Sequence, residues 1–161
     1  MIFVTLGTQK FQFDRILKEL DKLIDENKLK KEDIMVQNVC QEYQPKNFKP
    51  FRLKPQEEID KITNDAEIII THSGTGSIIN SLKMGKRIII VPRRKEFGEH
   101  VDNHQLELAE VFHEKYNIPV VTEMDELYDV IQKINEYRPI KWEENNTSLI
   151  NSIQNKINQL L

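Results

Sequence analysis

Four short apolar runs, at residues 2–6, 33–39, 67–71 and 86–92, recur through the first hundred positions. Two of them, around Ile68-Ile69-Ile70 and Ile88-Ile89-Ile90-Val91, have no polar residue on either alternate face. A strand that is apolar on both faces must be covered on both faces, which is the condition of a parallel sheet flanked by helices. Between the runs the spacing changes. Phe13, Ile16, Leu17, Leu20, Leu23 and Ile24 recur three and four residues apart, the mark of an amphipathic helix over 13–27. Similar reasoning predicts helices over 55–64, 77–84, 103–115, 123–137 and 146–161, and short strands at 51–53 and 118–121. Alternating strands and helices joined by right-handed crossovers make a doubly wound, Rossmann-like α/β fold.

In such a sheet ligands bind beyond the carboxyl ends of the strands. Three polar loops are expected to meet there: 7–12, 71–77 and 92–105. The middle one, Thr71-His72-Ser73-Gly74-Thr75-Gly76-Ser77, leads from a buried strand into a helix ended by Gly85. A Gly- and hydroxyl-rich turn of this kind aims backbone N–H groups and the positive helix end at one spot, which suits phosphate. A tight strand-to-helix turn with no ligand is the competing reading, because short glycine motifs also occur without one.

Bulk properties narrow the partners. The chain has 161 residues, enough for one domain with a proper core, and a net charge of −3. It has no overall basic footprint for nucleic acid. The single cysteine, Cys40, forms no internal disulfide and fits a reducing compartment as a small buried filler. No basic leader precedes the first strand, and no apolar stretch approaches the roughly 20 residues that span a bilayer. A cytoplasmic protein is therefore expected. The four histidines lack the Asp-x-Asp spacing that would hold a divalent ion beside a diphosphate, so no metal is expected.

Three blocks in order carry a family resemblance: Phe3-Val4-Thr5-Leu6-Gly7-Thr8-Gln9; Ile70-Thr71-His72-Ser73-Gly74-Thr75-Gly76-Ser77-Ile78; and Val91-Pro92-Arg93 followed by Gly98-Glu99-His100-Val101-Asp102-Asn103-His104-Gln105-Leu106. Over about residues 1–135 the chain resembles the nucleotide-sugar-binding C-terminal half of glycosyltransferase family 28. Within it, the likeness is to catalytic subunits of split, two-subunit UDP-sugar transferases, both of the dolichol-linked pathway and of bacterial capsule or exopolysaccharide synthesis. The bacterial branch looks closest, on the unbroken Pro-Arg and the Gly-Glu-His-Val-Asp.

The resemblance implies a site. Gly7, Thr8, Ser73, Gly74, Thr75, Gly76 and Ser77 would take the diphosphate. Asn80 matches the position of a ribose-binding carboxylate; an amide there loses the charge-assisted bond. Glu99 is the substitute considered for it. Asp102, Asn103, His104 and Gln105 would face the donor sugar, with His104 the candidate catalytic group. A capped helix start is the plain alternative for that segment. Arg93 and His100 are secondary diphosphate candidates, and His72 is either a site residue or a buried, satisfied histidine.

It also implies what else is needed. The donor would be UDP-galactose or UDP-N-acetylglucosamine, with no cofactor, and the reaction an inverting transfer to a polyprenyl-diphosphate-linked sugar. An acceptor-binding, membrane-anchored partner subunit would supply the missing N-terminal half and would recruit the chain to the inner face of the membrane; the general base is left open between His104 and the partner. Residues 1–137 would form the nucleotide-sugar-binding domain; 138–161 would form a linker and a helix that docks on the partner or packs on its own domain. Two rivals stand beside this reading: a non-catalytic nucleotide-binding module, and a dinucleotide-binding Rossmann protein. The second is disfavoured because no G-x-G-x-x-G follows the first strand.

Overall fold

The computed structural model describes residues 1–40, 42–138, 140–143 and 147–160. Four parallel strands form its sheet: β1 (Ile2–Thr5), β2 (Ile34–Gln37), β3 (Ile68–Thr71) and β4 (Arg87–Ile90). Their order is β2-β1-β3-β4. The chain thus builds outward from β1 in both directions. The reversal falls between β1 and β3, where loops diverge and leave a crevice at the strand ends.

Helices cover both faces. On one side α1 (Asp14–Asp25) and α5 (Leu127–Lys133) pack on Ile2, Val4, Ile34, Val36, Ile70 and Ile89. On the other, α2 (Gln56–Asp65) covers Phe3 and Ile69, while α3 (Thr75–Lys83) and α4 (His104–Tyr116) cover Ile88 and Ile90. Successive strand residues point to opposite faces, so Ile69 and Ile70 enter different cores, both fully buried. Each such side chain stabilises the fold by about 1.5–3 kcal/mol. This is why the runs show no polar alternation.

The final helix α6 (Thr147–Leu160) lies along α4. Leu149 is buried and Ile153 is partly buried against the α3–α4 core, and Lys156 sits 3.1 Å from Glu110 and 3.7 Å from Glu107. Ile150 and Ile157 face outward. The ends of the expected 146–161 helix, and part of the 138–145 linker, lie outside the described residues.

Some expected elements are shorter. The 51–53 segment pairs only through a Gln37–Phe51 bridge, because Pro50 and Pro55 bracket it and limit its backbone donors. The 118–121 segment pairs only through Ile90–Val120; Asn117 enters it in a left-handed conformation and Pro119 has no N–H to give. The 123–137 helix is a 3-10 turn, α5 and another 3-10 turn. Conversely α3 starts at Thr75, so Thr75, Gly76 and Ser77 form its first turn.

Candidate functional site

The three polar loops do meet at the carboxyl edge of the sheet, and buried polar side chains tie them together. Arg93 is the largest of these. It is 1% exposed, and its guanidinium donates to the carbonyl oxygens of Leu6 (2.5 Å), Phe11 (3.1 Å), Gln12 (3.2 Å) and Glu99 (3.2 Å). It also stacks 4.7 Å over the Phe13 ring. Burial pulls its pKa down to about 10, against the raising effect of Glu99, so it stays charged at neutral pH. Glu99, also 1% exposed, accepts from Arg15 Nε (2.6 Å) and from the Arg94 amide (2.9 Å). These two residues correct the sequence expectation. Arg93 Nη1 and Nη2 donate to loop carbonyls and Glu99 is held by Arg15, so both buried side chains serve the loop framework here.

Gln105 is likewise turned inward at 6% exposure. Its Oε1 accepts the Arg93 amide (2.9 Å) and the Ser73 amide (3.3 Å), and its Nε2 lies 3.2 Å from His72 Nδ1. The expectation that it faces a sugar is corrected too: its polar atoms hold the second and third loops together.

His72 occupies the crevice between β1 and β3. A Cβ on Gly7 would lie 2.6 Å from its Nε2, and one on Gly74 would come closer still to its ring. Both glycines are therefore required by the imidazole, and Gly7 also by its φ of +80°. Burial first, and then the charge of Arg93, push the His72 pKa down to about 4, so the ring is neutral at physiological pH.

Around His72 lie groups still without partners. Ser73 Oγ and Thr71 Oγ1 are buried and form no hydrogen bond among the described residues. Helix α3 has no side-chain cap, and by geometry its first-turn amides at Thr75, Gly76 and Ser77 have no intrahelical acceptor. Gly76 is exposed, with open space where a Cβ would sit. Thr8 is exposed on the opposite loop. The unpaired amides at this helix N-terminus, beside the exposed Gly76, suit an anion.

The start of α4 makes the outer wall. Asp102 Oδ1 accepts the His104 amide (3.0 Å), and its Oδ2 lies 3.4 Å from His104 Nδ1. Its Oδ1 is also 3.2 Å from His100 Nδ1, without hydrogen-bond geometry. Burial raises the Asp102 pKa, but the His104 amide and the two imidazoles outweigh it and hold the carboxyl below its usual value. Asn103 is exposed, and its Oδ1 accepts the Lys95 amide (2.8 Å). His100 packs 5.7 Å from the Phe11 ring.

Asn80 Nδ2 donates to Asp60 Oδ1 on α2 (3.2 Å). Asp60 had no signal in the sequence beyond a polar position on an amphipathic helix. A cleft of about 540 Å³ between α1 and the 97–99 and 122–124 segments adjoins the site but excludes the Gly-rich loop. Among the described residues no group of three or more His, Cys, Asp or Glu could hold a metal ion, and no helix is long and apolar enough to cross a membrane.

Comparison with known proteins agrees with this architecture. The model of the glycosyltransferase family 28 C-terminal domain matches residues 1–160. The UDP-N-acetylglucosamine transferase subunit ALG13 of Kluyveromyces lactis is 39% identical over 59 residues, 36% of this chain and 28% of that protein. Its Candida albicans counterpart is 43% identical over 54 residues, 34% of this chain and 17% of that protein. The matches thus span under a third of these relatives. The solution structure of ALG13 superposes with a TM-score of 0.57 at 18% identity, covering 94% of each chain. The glycosyltransferase SnogD from Streptomyces nogalater superposes at 0.50 and 14% identity, covering 99% of this chain and 38% of that one. The shared fold is the Rossmann-like C-terminal half of a GT-B glycosyltransferase.

Proposed function

We propose that this chain, which belongs to the glycosyltransferase family 28 C-terminal domain family, is the donor-binding subunit of an inverting UDP-sugar transferase. The observation that carries the reading is the set of unpaired donors around the Gly7–His72–Gly74 crevice, beside the first turn of α3. In this proposal the diphosphate sits against Gly7, Thr8, Ser73, Gly74 and the amides of Thr75, Gly76 and Ser77. Backbone dipoles and the helix end stabilise the charge that develops on the leaving UDP. Asn80 takes the ribose, with Asp60 beside it bringing the carboxylate that the amide lacks. Asp102, Asn103 and His104 face the sugar.

The transfer is a single displacement. The acceptor hydroxyl attacks the anomeric carbon, the bond to the UDP oxygen breaks, and a base takes the hydroxyl proton. Within this chain the group suited to that proton is His104. Asp102 lies on its Nδ1 side, which leaves Nε2 outward. A partner subunit supplies the acceptor site, and the base if His104 does not serve.

The names of the relatives favour UDP-N-acetylglucosamine as donor. UDP-galactose, a capsule or exopolysaccharide product and a bacterial split enzyme rest on the sequence resemblance alone. So do the lipid-linked acceptor, the membrane-anchored partner and recruitment to the inner membrane face. The non-catalytic reading draws on one observation, the Asn80 amide already held by Asp60. Amide chemical-shift mapping with UDP tests the site. Perturbations should centre on residues 7–8, 73–77 and 102–104, and shifts confined to other loops would remove this assignment.

A further inference from the structure

We propose that Gln105 is a positioning residue that holds His72 as the Nε2–H tautomer, so that the imidazole donates into the crevice between Gly7 and Gly74. The inference rests on the donor-binding reading only for what lies beyond Nε2.

The tautomer follows from the bonds. Gln105 Oε1 receives two backbone N–H groups, from Arg93 and Ser73. Amide nitrogens of the backbone only donate, so the atom they meet must be the side-chain oxygen, and the Gln105 amide cannot be flipped. The atom 3.2 Å from His72 Nδ1 is therefore the NH2 group, which donates. Nδ1 must then be an acceptor without a proton, and the neutral ring carries its proton on Nε2. That is the nitrogen nearest the Cβ position of Gly7.

The surroundings keep the ring neutral. The titratable groups acting on His72 are Arg93 and His100; both disfavour a second proton, and burial does so more strongly. Gly7 and Gly74 contribute backbone alone. Arg93, charged but consumed by four carbonyls, adds positive potential without competing for the anion. Gln105 thus couples two tasks: it fastens the second and third loops, and it chooses which imidazole nitrogen donates.

The test is the nitrogen-15 spectrum of the imidazole in the full chain, read through long-range proton–nitrogen correlations. Wild-type His72 should show a protonated Nε2 and a bare Nδ1 at neutral pH. Gln105→Glu keeps an acceptor for the two backbone amides but has no N–H for Nδ1. In that variant the proton should appear on Nδ1, as the other tautomer or as imidazolium. A wild-type ring protonated on Nδ1 would overturn the proposal, whether or not the variant folds. So would a Gln105→Glu spectrum with the neutral Nε2–H form unchanged. Added UDP should shift Nε2 and its proton more than Nδ1. No UDP effect on His72 with the wild-type tautomer as expected would count against the donor site while leaving the role of Gln105 standing.

Discussion

Gly7 faces the edge of His72 so closely that a Cβ at residue 7 would lie 2.6 Å from the ring Nε2. Gly7→Ala therefore meets two costs. The left-handed backbone at φ +80° opposes any side chain by about 1–2 kcal/mol, and the methyl must displace His72. Urea unfolding should show a loss of at least that size, together with loss of UDP binding.

Gly76 provides the contrast. Nothing lies within 4 Å of its would-be Cβ, and it sits in the first turn of α3. Gly76→Ala should leave stability unchanged or raise it by up to about 1 kcal/mol. UDP affinity should nevertheless fall, because a methyl group would stand where the anion approaches. Paired unfolding and UDP titrations separate the two effects.

His72 makes stability depend on pH. Its pKa is about 4 when folded against the ordinary 6.5, so the unfolded chain binds the extra proton first as pH falls. The neutral ring's contribution is complete above pH 6.5 and is lost as pH drops through 6.5 toward 4. With about 1.4 kcal/mol per pKa unit, the loss is on the order of 3 kcal/mol. His72→Asn should flatten the stability profile in that window relative to wild type, as measured by urea midpoints from pH 7 to 4. Parallel profiles for the two proteins would contradict the assignment.

Arg93→Met should destabilise the fold by about 3–5 kcal/mol, since it strands four loop carbonyls, those of Leu6 and Glu99 in fully buried bonds. Arg93→Lys should rescue little, because one ammonium cannot span carbonyls on two loops. Thermal or urea unfolding of both variants checks this.

Leu149 and Ile150 are neighbours on α6 with opposite fates: Leu149 is 1% exposed and Ile150 is 63% exposed. Leu149→Ala should cost about 2–4 kcal/mol or release α6 from α4. Ile150→Ala should change stability by less than about 0.5 kcal/mol. Hydrogen exchange along 147–160 distinguishes release of the helix from a uniform loss.

The parts of this structure that sequence made legible are those set by local pattern. The unbroken apolar runs announced β3 and β4, and the three-and-four spacing announced α1, because each follows from the burial of one segment. The Gly-rich turn was visible because it needs residues of a particular conformational freedom. What sequence left hidden depends on contacts between distant segments. Arg93 read as a secondary diphosphate ligand, yet it is enclosed by carbonyls from residues 6, 11 and 12. Gln105 read as a sugar ligand, yet its partners lie 12 to 33 residues away. Asp60 became visible only when α2 was set beside α3. The segments at 51 and 118–121 were over-read as strands because their prolines and the left-handed Asn117 limit pairing to single bridges.

Saturation-transfer NMR of the full chain with UDP, ADP and NAD tests the donor-site assignment most directly. A donor-binding subunit of this family should transfer saturation to UDP selectively, and UDP-N-acetylglucosamine should displace it. Selective saturation of ADP or NAD, or none of UDP at millimolar concentration, would contradict a UDP-sugar site in the Gly7–His72–Gly74 crevice.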